Sequence, residues 1–142
     1  MEEIKEKFVG TWKMVRSENF EEFLAEVGVN FLIRKMAALA KPTTIISVDE
    51  ETITIEQKTG IRDKVENFKL NEEFEKEMEG TKMKCVAVYE DGKIKYTNTP
   101  VDPDSTVKPQ TVYRGRFGEE LLVQIECGKV VCKRYFERVT TA

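Results

Sequence analysis

Two arginines near the end of the chain hold the most chemical information in this sequence. The run VVCKRYFERV, residues 130–139, reads as a strand with a period of two. Val131, Lys133, Tyr135 and Glu137 share one face, suited to solvent, and Val130, Cys132, Arg134 and Phe136 share the other, suited to an interior. An inward arginine needs a reason. Its guanidinium does not shed its charge by losing a proton, and burying it without an anion is very costly. Upstream, in TVYRGRF, Val112, Arg114 and Arg116 lie on one face and Thr111, Tyr113 and Gly115 on the other. Polarity alone leaves open which of these faces points inward. If the first does, Arg114 joins Arg134 inside. Two inward guanidiniums repel each other and call for an anion, either an interior carboxylate of the protein itself or a carboxylate brought in by a ligand. A ligand carboxylate accepts from one arginine directly and from the other through water.

Other chemistries find few residues to work with. Histidine is absent, which removes His-based triads, the usual general acid–base group and the commonest metal ligand. The three cysteines, Cys85, Cys127 and Cys132, are odd in number and none forms a CxxC pair. That pattern argues against a disulfide framework or a structural zinc site and for free thiols in a reducing compartment. A net charge of −3 over 142 residues argues against a broad nucleic-acid footprint. The charged opening MEEIKEKFVG lacks the apolar stretch of a signal peptide. No apolar run reaches the length of a membrane helix.

The elements that must position these arginines are mostly strands. A chain of this length makes one domain, residues 1–142, with a core of its own. The helical signal is confined to ENFEEFLAEVGVNFLIRKMAALAKP, about residues 19–40. Asn19 and Glu22 have capping-box spacing, Phe20, Phe23, Leu24 and Val27 repeat at helical intervals, and Gly28 is a natural stop. A second helix runs from about Asn30 to Ala40 and ends before Pro42. The pair is a helix-turn-helix in shape only, since a DNA reader needs a basic second helix and only Arg34 and Lys35 qualify. The opening run KFVGTWKMV reads as a strand, and everything after Pro42 alternates in short strand-like runs rich in Ile, Val, Thr and aromatics. Turn signals such as Asp49-Glu50, Gly60, Asn71, Asp91-Gly92, Gly118 and Gly128-Lys129 separate them. About ten such strands in consecutive hairpins predict an all-β, antiparallel up-and-down barrel. TNTPVDPDSTVKPQ, about residues 97–110, reads as an extended proline-rich loop. The hairpin at Gly128-Lys129 pairs Glu126 with Val131 and Ile125 with Cys132, so Val123, Ile125 and Cys127 face in. Mixed inward rows favour a ligand cavity over a fully packed interior.

The same residues carry a resemblance. GTWKMVRSENFEEFLAEV, Gly10 to Val27, is similar to the signature stretch of the intracellular lipid-binding proteins, with its Gly-x-Trp and the Asn-Phe-Glu that opens the first helix. The likeness continues through GVNFLIRKMAALAKPT, the IISV…TITI hairpin, FKLNEEFE and the closing VVCKRYFERV, with a small deletion near Glu79 and an insertion in the proline-rich loop. The chain most resembles the fatty-acid-binding branch. That resemblance implies a ten-stranded antiparallel β-clam of the calycin, lipocalin-like type, with the helix-turn-helix as a lid over one end and the ligand inside.

The resemblance also implies roles. In the family a ligand carboxylate is held by two arginines and a tyrosine on the last strands. Arg114 matches the first arginine and Arg134 the second, while Phe136 stands where the tyrosine would be. Tyr135 is adjacent, but alternation turns it outward unless a bulge intervenes. Losing that hydroxyl donor costs about 0.5–1.5 kcal/mol and leaves two charged donors in place. Phe20, Phe23 and Leu24 match residues that line the family's cavity and serve equally well as core contacts. Ile61 occupies the place of a portal phenylalanine, and Trp12 reads as a structural plug. Arg34, Lys35 and Arg62 form a basic rim at the portal, a feature that in the family assists collision with anionic membranes. The implied function is non-enzymatic carriage of long-chain fatty acids or similar hydrophobic carboxylates by a cytoplasmic monomer, with the nucleus as a further compartment. No cofactor, metal or nucleic acid enters this reading. Its rivals are a carrier of the retinoic acid type, an interaction module using the proline-rich loop and, with least support, a barrel enzyme.

Overall fold

A computed structural model describes residues 1–60, 63–78 and 80–139. Ile61, Arg62 and Glu79, which figure in the sequence reading, lie outside the described residues. Three short helices and ten strands follow one another: α1 (Glu2–Phe8), β1 (Gly10–Glu18), α2 (Phe20–Val27), α3 (Phe31–Leu39), β2 (Thr43–Asp49), β3 (Thr52–Lys58), β4 (Lys64–Lys69), β5 (Phe74–Met78), β6 (Thr81–Glu90), β7 (Lys93–Pro100), β8 (Gln110–Phe117), β9 (Glu120–Cys127) and β10 (Val130–Arg138). All strands belong to a single antiparallel sheet ordered β4-β3-β2-β1-β10-β9-β8-β7-β6-β5. Consecutive strands pair, except β4 and β5, which form the two edges of the sheet, and the first strand also pairs with the last. This is the expected all-β clam of the calycin type.

Local chemistry explains the hairpins. Asp91 and Gly92 both sit at positive φ, 53° and 74°, as a two-residue turn between antiparallel strands requires. Gly128 takes φ 57°, a conformation that favours glycine, and a Cβ there would also displace the Glu26 carboxylate of α2, 2.7 Å away. The β9–β10 register places Glu126 opposite Val131 and Ile125 opposite Cys132, as the sequence predicts. A bulge at β1 between Met14 and Arg16 leaves Val15 unpaired, exposed and out of phase.

Three sequence expectations need correction. The chain opens with a helix, α1, and the first strand begins only at Gly10. Ile4 and Phe8, four residues apart, form a two-residue apolar stripe too short to stand out, yet both are fully buried. Asn19 does not close a capping box. It takes a left-handed conformation, φ 59°, and its Nδ2 donates to the Val131 carbonyl at 3.1 Å, which ties the start of α2 to β10. Asn30 does cap its helix, its Oδ1 accepting from Ile33 N at 3.0 Å. The proline-rich loop is shorter than predicted, because Thr97–Pro100 continue β7 and Gln110 begins β8. Its Val107 packs on the core and its Lys108 pairs with Glu26 of α2.

The barrel is closed at the end away from α2 and α3. Trp12 is wholly buried there, and its Nε1 donates to the Phe8 carbonyl at 2.9 Å. The Arg138 guanidinium lies 4.5 Å from the centre of the indole and donates to the Val9 carbonyl at 2.8 Å. Trp12 is thus the plug the sequence suggests, with α1 as its other half. Phe8→Ala should destabilise the protein by about 3–5 kcal/mol. Urea unfolding followed through the fluorescence of Trp12 measures this directly, and a midpoint equal to the wild type would show that α1 is not part of the core.

Candidate functional site

Between the barrel wall and α2 lies a cavity of about 580 Å³. Its roof follows from the periodicity of α2: Phe20, Phe23, Leu24 and Val27 all face it, as the sequence reading proposed for the first three. On the opposite side, strand register sets the key side chains. Arg114 and Arg134 are both in register with Val123, so they occupy one row of the sheet with β9 between them. Two strand spacings put their backbones about 10 Å apart. The face of β8 left open by the sequence is therefore settled. Gln110, Val112 and Arg114 point in, and Arg116 continues that face to the closed end, where it lies over Trp12.

Among the described residues, neither guanidinium has an ion-pair partner, and both are desolvated. Arg114 is 5% exposed and Arg134 8%, and Arg114 Nε and Nη1 and Arg134 Nε make no hydrogen bond. Burial pushes the Arg134 guanidinium down to about 10, with weak opposition from the Cys132 thiol. Burial likewise lowers Arg114, against an upward pull from Glu66 and Tyr96. Glu66 of β4, the carboxylate that pulls on Arg114, pairs with Lys76 of β5. That pair spans the two open edges of the sheet, and Lys76 Nζ also lies 5.0 Å from the centre of the Tyr96 ring. The Arg134 guanidinium rests instead on the ring of Phe20, 3.8 Å from its centre, so the lid touches the charge directly.

Phe136 is inward and fully buried beside Arg134. Tyr135 faces out, under the Arg16 guanidinium at 3.9 Å and edge-on to Phe117. The bulge is in β1, and β10 pairs with β9 in unbroken register, so Tyr135 stays on the outer face, where Arg16 and Phe117 bury it rather than solvent covering it. Cys132 is buried and its thiol is pushed up to about 11 by desolvation, and all three cysteines are free. Among the described residues, no group of three or more His, Cys, Asp or Glu is placed to hold a metal.

Sequence reasoning missed the polar wall opposite the lid. Tyr96, Asn98 and Gln110 line the cavity, all nearly fully buried; the Tyr96 hydroxyl lies against the Cys85 thiol, and Asn98 Oδ1 and Gln110 Nε2 make no hydrogen bond. The signal was present in Ile94, Tyr96 and Asn98, which alternate along β7, but assigning residues 97–110 to a loop hid it. The basic rim is also less available than expected. Lys35 pairs with Glu21 at 2.8 Å and Arg34 donates to the Val29 carbonyl at 3.1 Å.

The comparisons with known proteins agree with this architecture. The model of the lipocalin / cytosolic fatty-acid binding protein family matches residues 9–138. Human fatty acid-binding protein 9 is 38% identical over 135 residues, which cover 94% of this chain and 98% of that protein. Fatty acid-binding protein homolog 6 of Caenorhabditis elegans is 34% identical, covering 95% of this chain and 99% of the relative. The crystal structure of apo lipid binding protein 8 of Caenorhabditis elegans superposes with a TM-score of 0.89 at 31% identity, over 98% of this chain and 97% of that one. The family match spans the barrel and both lid helices, and the relatives align over almost their full lengths. This chain belongs to the lipocalin / cytosolic fatty-acid binding protein family.

Proposed function

We propose that this chain is a non-enzymatic, single-domain carrier that binds a long-chain fatty acid, or a similar hydrophobic carboxylate, inside its barrel. The observation that carries the reading is the pair of buried guanidiniums with free N–H groups in one cavity wall. A carboxylate supplies the missing charge and accepts charge-assisted hydrogen bonds, one directly and one through water. The alkyl chain then lies against Phe23, Val123, Ile125 and Phe136, at about 0.8 kcal/mol per buried CH₂ before the cost of ordering the ligand. The names of the relatives favour the same cargo. Phe136 removes one neutral donor from the head-group site, a smaller loss than either arginine.

Loading and unloading pass the lid. Helix α3 buries none of its residues, and Leu32 and Leu39 are 73% and 86% exposed. In this reading the monomeric protein works in the cytoplasm, with the nucleus as a further compartment, and touches membranes briefly through α3. Lys35 is paired with Glu21, and the exposed apolar side chains of α3 lead that contact in this reading.

Arg134→Gln should weaken oleate binding at least tenfold in isothermal titration while leaving the ligand-free protein as stable as the wild type or more so. The sign follows from burial: a guanidinium held below its ordinary pKa costs folding free energy across neutral pH, and that cost fades only as pH rises past about 10. Unchanged oleate affinity would remove Arg134 from the head-group site, and stronger binding of retinoic acid than of oleate would move the cargo to the retinoid class. A double Leu32→Ser, Leu39→Ser variant should transfer a fluorescent fatty acid to phospholipid vesicles several-fold more slowly, with equilibrium affinity unchanged. Wild-type transfer that collapses in high salt would instead favour a charge-driven contact.

A further inference from the structure

We infer that the cavity is adapted to a fatty acid carrying a hydroxyl part-way along its chain, held by Asn98 and Gln110. This rests on the carrier reading above and names its ligand more narrowly. Asn98 of β7 and Gln110 of β8 are directly opposite each other in the strand register. Directly opposed residues on one face have their Cβ atoms about 5 Å apart, close enough to bind one small group together. Both are more than nine-tenths buried, at 3% and 4% exposure, and both line the cavity. Asn98 Oδ1, an acceptor, and Gln110 Nε2, a donor, make no hydrogen bond.

A hydroxyl both donates and accepts, so a single oxygen satisfies the two amides at once. Turning both amides exchanges donor for acceptor on each side and keeps the pair suited to a hydroxyl. A carboxylate lacks the proton for this role, and the arginines already suit it better. Gln110 stands four residues from Arg114, about 13 Å along the strand, so a carboxylate taken by the guanidinium leaves the amides to the chain. Tyr96 lies between them on the same wall, opposite Val112, and continues the polar track.

Beside these amides the cavity surface turns apolar, with Val112, Val123 and Ile125 on β8 and β9 and Phe23 on α2. A plain alkyl chain suits that side but strips water from two buried amides and returns nothing. A chain with a mid-chain hydroxyl serves both surfaces. Discrimination of this kind comes from buried polar groups left unpaired by the wrong ligand.

The test compares stearate with 12-hydroxystearate by isothermal titration of the delipidated protein. The wild type should bind the hydroxylated acid about tenfold more tightly, the effect of two neutral hydrogen bonds. Asn98→Leu with Gln110→Leu should abolish the preference while holding or improving stearate affinity, and Gln110→Leu alone should reduce it. The wild-type ratio needs no variant, so a misfolded double mutant does not blunt the test. Stearate bound as tightly as the hydroxylated acid, or a preference untouched by Gln110→Leu, overturns the hydroxyl site and leaves the carrier reading standing. Failure of both acids to bind overturns the carrier reading and this inference together.

Discussion

A guanidinium kept charged and dry without an anion is the constraint around which this molecule is arranged. Arg114 and Arg134 stand in one row of the sheet, buried, with N–H groups that no protein oxygen accepts. Such groups are costly in an empty protein and useful in an occupied one, because a carboxylate entering the cavity cancels the penalty. The interior carboxylate nearest in effect, Glu66, is held away from them by Lys76. That pair also joins the two edges of the sheet, β4 and β5. One ion pair therefore bridges the open seam and engages the carboxylate that pulls on Arg114.

The two ends of the barrel divide stability from access. At the closed end, α1, Trp12 and the guanidiniums of Arg116 and Arg138 form a layered plug with its polar atoms bonded to the Lys7, Phe8 and Val9 carbonyls. At the other end, α2 lays an apolar face over the cavity and α3 buries no side chain. An element that buries little surface opens at little cost, so motion concentrates where a ligand must pass. The contact of Arg134 with Phe20 joins these functions, since the charge that would receive the carboxylate is the one the lid rests upon.

Phe136 and the β7–β8 wall belong to one redistribution of polarity. The last strand lacks a hydroxyl beside Arg134, while Tyr96, Asn98 and Gln110 put hydrogen-bonding groups on the facing side of the cavity.

Much of this was legible in the residues themselves. Alternation marked the strands, the Gly128-Lys129 turn set the register that makes Arg134 inward, and Phe20, Phe23 and Leu24 marked a helix face that became the roof. Local pattern failed where the deciding partner is far away in sequence. Ile4 and Phe8 earned no helix on their own because their value lies in covering Trp12. Asn19 had capping spacing but found the Val131 carbonyl, 112 residues away, a better partner. The inward face of β8 had no polarity signature, since Arg114 and Arg116 look like surface residues until the barrel curls around them. By itself the sequence determined the strands, the turns and the charge that must be answered, because these depend on short-range periodicity and the chemistry of single side chains. Only the tertiary structure decided that Glu66 is taken by Lys76, that Asn98 meets Gln110 and that both arginines stand unpaired in one cavity. Those facts depend on which strands become neighbours when the sheet closes, and no local spacing contains them.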